Sequence, residues 1–145
     1  MKKLLTILLF CVLAVGMTSV ASAAPKGINY KHSLFSLTLP ASWEGRYSAQ
    51  IFNDEDIIDG VLFRSIRNEK AGAGGLLFAI EIYNKVPDIP TMYAELAKAD
   101  GKYFYVVYPG DVPFAYENAE LTKEYTDMRN DIESILKTFK VHKRS

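Results

Sequence analysis

Few residues of this chain have the types and spacing that chemistry requires. Asp54, Glu55, Asp56 and Asp59 form an acidic cluster ending at Gly60, which invites a calcium reading. A calcium loop of the helix–loop–helix kind needs oxygen ligands at positions 1, 3 and 5, glycine at 6 and glutamate at 12. Counted from Asp54, position 5 is Ile58 and position 6 is Asp59; counted from Glu55, position 3 is Ile57 and position 12 is Ile66. Neither register works, and a solvated acidic turn is the simpler reading. His32 and His142, the only histidines, show no His-x-x-x-His spacing and lack the further ligands zinc needs. Both read as surface histidines, and neither is marked as a general base beside a nucleophile.

Nucleophiles and phosphate loops fare no better. Ser42 and Ser65 lie outside any Gly-x-Ser-x-Gly elbow. The run Ala71-Gly72-Ala73-Gly74-Gly75 lacks the Lys-Ser/Thr ending of a P-loop and precedes a strand pattern rather than a helix. What remains is aromatic: Tyr103, Phe104, Tyr105 and Tyr108 crowd one strand, Phe114 and Tyr116 follow, and Trp43 sits in an early turn. Alternation along a strand sends Phe104 to the face opposite Tyr103 and Tyr105, so one set packs in the core. The other set is a candidate contact surface, since tyrosine and tryptophan are enriched at interfaces.

These residues must be carried by a recognisable set of elements. Phe35-Ser36-Leu37-Thr38-Leu39 alternates apolar and polar, placing Phe35, Leu37 and Leu39 on a buried strand face that Pro40 ends. Residues 41–45 turn, 47–52 and 60–66 read as strands, and 67–75 reads as a loop joining two strands. Residues 76–83 form the next strand; Glu81 and Tyr83 share a partly wet face with Leu77 and Ala79. Residues 91–99 read as a short helix capped by Thr91, with Met92, Tyr93 and Leu96 apolar, ended by Asp100-Gly101. A strand over 102–108 is broken by Pro109-Gly110-Asp111.

The last segment carries the strongest periodicity. Leu121, Tyr125, Met128, Ile132, Ile135, Leu136 and Phe139 follow one helix face, with Asn118 as N-cap and Glu120 in the first turn. Lys123, Glu124, Asp127, Asn130, Asp131 and Ser134 form the solvated side, and the tail 141–145 reads as frayed. Strands first and a long helix last imply an α+β domain: an antiparallel sheet with the C-terminal amphipathic helix packed on one face.

The first 23 residues set the cellular context. Lys2 and Lys3, an apolar run from Leu4 to Val15 and the ending Ala21-Ser22-Ala23 have the layout of a cleaved secretory signal peptide. The apolar run falls short of the roughly 20 residues a membrane span needs. Phe10 before Cys11 in mid-run does not fit a lipoprotein signal. Cleavage takes 23 of the 145 residues, leaving 122, the size of one domain. It also removes the single cysteine, so disulfides and thiolate chemistry are excluded. Two of the 17 basic residues leave with it against none of the 17 acidic ones, for a net charge of −2. That balance argues against nucleic acid as a partner, which requires neutralising many phosphates.

Phe35-Ser36-Leu37-Thr38-Leu39-Pro40-Ala41-Ser42-Trp43-Glu44-Gly45 resembles the opening of a group of small exported bacterial proteins and of Mog1/PsbP-like domains. The sequence from the aromatic strand through Pro109 and Asp111-Val112 to the last helix is similar in layout. Where the bacterial group often has Pro-Thr-Asp-Val-Gln, this chain has Pro109-Gly110-Asp111-Val112-Pro113. The resemblance implies a sandwich around a central antiparallel sheet, and a protein-binding accessory or assembly role without catalysis. The expectation is therefore an exported, non-enzymatic domain in the periplasm or outside the cell. It has no cofactor, and it binds a protein or envelope component through Trp43, Tyr105, Tyr108, Asp111, Phe114 and Tyr116. The alternative is an exported small-ligand or metal-binding protein using the acidic turn 54–59.

Overall fold

A computed structural model of the chain describes residues 26–88 and 92–143. The leader, Thr91, Arg144 and Ser145 lie outside the described residues. The elements run β1 (Ile28–Lys31), β2 (Phe35–Leu39), β3 (Tyr47–Phe52), β4 (Asp59–Ser65), α1 (Ile66–Lys70), β5 (Leu76–Tyr83), β6 (Tyr93–Ala99), β7 (Lys102–Val107), α2 (Ala119–Leu136) and β8 (Lys140–Val141). They build an α+β fold with two antiparallel sheets instead of the single sheet expected. One has three strands in the order β1-β2-β8, the other five in the order β3-β4-β5-β7-β6.

One core joins both sheets to α2. Phe35, Leu37 and Leu39 of β2 meet Val61 and Phe63 of β4, Phe78, Ile80 and Ile82 of β5, Phe104 and Val106 of β7, and the Tyr125, Met128, Ile132 and Ile135 stripe of α2. Tyr30 of β1 packs edge-on against Phe63, at 5.0 Å between ring centres, which seats the small sheet on the large one. Phe139 bridges Phe35 and Phe104. The helix begins as its sequence dictates: the Asn118 side chain accepts hydrogen bonds from the N–H groups of Glu120 and Leu121, both 3.1 Å.

Several expectations are corrected. Residues 93–99 are the strand β6, paired with β7 through a tight turn, not a helix. Asp100 and Gly101 both have positive φ, the conformation of a two-residue hairpin turn. The stretch read as a loop over 67–75 starts with α1, capped by Ser65. The tail is tied down further than expected: Ser36 pairs with Lys140, Phe35 pairs with Val141, and the His142 N–H donates to the Leu34 carbonyl. The face of β5 carrying Glu81 and Tyr83 is dry, not partly wet.

Candidate functional site

The loop between β7 and α2 is held from beneath by one buried side chain. Asn68 of α1 has no solvent exposure, and its amide is used in both senses. Nδ2 donates to Ser65 Oγ (3.0 Å) and to the Leu121 carbonyl (3.2 Å), while Oδ1 accepts from the Ala115 N–H (2.9 Å). Gly75 adds a backbone tie, its N–H donating to the Pro113 carbonyl at 2.9 Å. Its φ is +69°, and a Cβ there would lie 2.6 Å from the Ser65 carbonyl oxygen, so only glycine fits. Phe114 stacks on Tyr125 with ring centres 5.0 Å apart. The Tyr125 hydroxyl donates to the Leu76 carbonyl, and burial pushes its pKa up to about 12.

This frame fixes the backbone and turns two apolar side chains outward. Val112 is 59% exposed and Tyr116 72% exposed. Between them and the glycine-rich loop lies a shallow groove of about 350 Å³, lined by Ala71, Gly72, Ala73, Val112 and residues 114–117. Asp111, next to Val112 in the chain, is exposed.

The expected contact residues separate into three groups. Asp111, Phe114 and Tyr116 belong to this loop, with Phe114 half-buried as its anchor. Tyr108 is half-buried against the core, and burial raises its hydroxyl pKa. Trp43 and Tyr105 are buried and are not exposed contacts. The Trp43 indole N–H donates to Asp131 Oδ2 at 3.0 Å, ten residues and about 15 Å along α2 from Leu121 at the loop. Tyr105 lies on the outer face of the large sheet, where its hydroxyl donates to Glu95.

Two buried polar centres were not visible in the sequence pattern. Glu124, expected on the solvated side of α2, is buried. Its carboxylate takes Arg67 Nη1 at 3.0 Å, Arg46 Nη2 at 3.2 Å and Ser65 Oγ at 3.5 Å. Arg67 also reaches Glu120 at 2.8 Å, and these hydrogen bonds raise its pKa. The cluster joins α1, α2 and the turn before β3. His32, expected at the surface, is buried beneath β2 and stacked on Phe35. Its Nδ1 accepts from the Leu34 N–H at 3.3 Å and its Nε2 lies 3.3 Å from Asp59 Oδ2. The exposed His142 lies against the Ser33 carbonyl of the same turn.

The acidic turn is thereby divided. Asp59 faces His32, whereas Asp54, Glu55 and Asp56 line a cleft of about 430 Å³ with Tyr83, Lys85, Asp88 and Tyr93. Asp56 pairs with Lys85 at 3.2 Å, and Asp54 Oδ1 accepts from the Glu55 N–H. Among the described residues no three histidine, cysteine, aspartate or glutamate side chains converge as a metal-binding group. Among the same residues no helix is long and apolar enough to cross a membrane.

Comparison of the chain with protein-family models, with curated proteins and with solved structures gives no match.

Proposed function

We propose that the protein is an exported, non-enzymatic domain that binds a protein or cell-envelope partner through the loop 109–116, in the manner of a Mog1/PsbP-like accessory factor. The observation that carries this reading is the pairing of a rigid frame with an apolar tip. Asn68 and Gly75 fix the loop backbone, while Val112 and Tyr116 stay in water. A fixed backbone lowers the ordering cost of association, and an exposed tyrosine supplies contact area at small entropic cost. The export leader supports a partner in the periplasm or outside the cell. Affinity capture from envelope extracts tests the proposal. A partner retained by the wild type and lost with Val112→Asp and with Tyr116→Ala is expected; equal retention by all three rejects this surface.

A second reading rests on the cleft at residues 54–57. Three carboxylates of the turn and Asp88 line it with one lysine and two tyrosines, which suits a small cationic ligand. A ligand of the native state raises the melting temperature. Titration with calcium and with small organic ammonium ions, read by thermal melting, rejects this version if neither moves the transition.

A further inference from the structure

The four sheet edges among the described residues are not equally protected. β8 has two residues, and β1 has four and ends in Lys31. β6 is broken by a register shift between Glu95 and Ala97 and carries Lys98. Short strands, lysines and irregularities are the devices that keep an edge from pairing with another chain. β3 has none of them. Its six residues, Tyr47 to Phe52, contain no charge, no proline and no bulge, and they pair with β4 in unbroken register.

The register also shows which backbone groups are left over. The Ile66 N–H donates to the Arg46 carbonyl, so that pair is hydrogen-bonded. Stepping by two, Ser48, Gln50 and Phe52 exchange bonds with Arg64, Leu62 and Gly60 of β4. The N–H and C=O groups of Tyr47, Ala49 and Ile51 therefore point away from the sheet, and none has a hydrogen-bond partner among the described residues. Their side chains share the face of Val61 and Phe63. Yet Ile51 is 63% exposed, because among the described residues nothing lies beyond the edge to cover it.

We infer that β3 is a strand-addition surface for a second copy of this chain. A two-fold axis at Ala49 sets Ala49 opposite Ala49, and Tyr47 opposite Ile51 in both directions. Every outward-pointing residue then meets another outward-pointing residue, the condition for a hydrogen-bonded antiparallel pair. Tyr47 against Ile51 is an aromatic–β-branched cross-strand pair, a favourable type. Ser48 falls opposite Gln50, and Arg46 opposite the Phe52 ring. With no charge inside β3, the two-fold brings no like charges together along the strand. This self-match selects a second copy over an unrelated extended segment.

The test uses the full-length chain with Cys11→Ser, so that any introduced thiol is the only one. Sedimentation should show a mass that doubles as concentration rises. Ala49→Pro removes an outward N–H without touching the β3–β4 ladder, and should abolish the doubling while leaving the melting temperature unchanged at concentrations too low for pairing. Ile51→Lys places a charge on the edge and should do the same, which covers a folding failure of the proline variant. Ala49→Cys should cross-link under mild oxidation, because Cα atoms about 5.5 Å apart suit a disulfide. Gln50→Cys should not. A single mass at all concentrations, or doubling that survives both edge variants, overturns the inference. So does doubling lost only with Val112→Asp, which would move the contact to the 109–116 loop, or stronger cross-linking at 50 than at 49.

Discussion

On the inner face of the five-stranded sheet, Phe63, Phe78, Ile80 and Phe104 are buried beneath α2 and the small sheet. On the outer face, Ala79, Glu81, Tyr83 and Tyr105 are nearly as buried, although α2 and the small sheet pack on the other side. Over β4, β5 and β7 the inner face is dry because an apolar layer covers it. Along β5 the outer face is dry because its side chains cover one another. Glu81 and Tyr105 are cross-strand partners, as are Tyr105 and Glu95, so a row runs across β5, β7 and β6. Tyr83 meets Tyr105 edge-on at 6.0 Å and donates its hydroxyl to Glu81. A face that shields itself must satisfy its polar atoms locally, and its stability then depends on hydrogen bonds as much as on area.

The largest separation of the two faces should come from the inner one. Phe78 is fully buried and stacks on Phe63 with ring centres 4.6 Å apart. Phe78→Ala should cost about 3–5 kcal/mol, since the cavity is enclosed on all sides and cannot fill with water. Urea unfolding should show a lower midpoint with an unchanged slope. A loss no greater than that of an outer-face tyrosine would break the distinction.

A smaller effect is expected from Tyr83→Phe. The ring area stays, but Glu81 loses the hydroxyl that donates to it, and its buried carboxyl is left short of a donor, at a cost of about 1–3 kcal/mol. Tyr105→Phe removes a donor to Glu95, which is exposed and can be solvated instead, so its cost should stay under about 1 kcal/mol. Equal losses in the two variants would show that burial of the acceptor does not decide the outcome. Chemical denaturation of both proteins side by side is sufficient to check this.

The inner face was legible in the sequence and the outer face was not, for a physical reason. Period-2 alternation in 35–39 and the helical stripe from Leu121 to Ile135 report burial against a covering layer, and both hold in the fold. Self-shielding leaves no such mark: Glu81 and Tyr83 look like residues of a wet face. Glu124 is a similar case, a charge drawn inside by Arg46, Arg67 and Ser65, all distant in sequence. Residues 94–99 failed differently. Alanine, glutamate, leucine and lysine favour helix locally, but pairing with β7 overrides that preference. The Asp100-Gly101 pair carried the contrary signal, since Asp-Gly between two short runs is a hairpin turn. For the loop site, Asp111, Phe114 and Tyr116 were visible as residues after a strand break. Asn68, which holds them, was hidden within a supposed loop.

The finest distinction between the faces is a pH dependence that only the outer one should show. Burial lifts the Glu81 carboxyl above the ordinary carboxylate range, and the Tyr83 hydrogen bond opposes that lift without cancelling it. In the window between the unfolded and the raised folded value, the native state holds this proton and the unfolded chain does not. Stability from this group is therefore full below the unfolded value and is lost as pH rises through the folded one. Glu81→Gln keeps a neutral acceptor for Tyr83 and removes the titration. The variant should match the wild type near pH 4 and melt higher than it at pH 7 to 8. Phe78→Ala, by contrast, should lower the melting temperature by a similar amount at both. If Glu81→Gln lowers the transition at neutral pH, the ionised carboxylate is itself a stabilising partner on the outer face, and the two faces differ by charge rather than by covering.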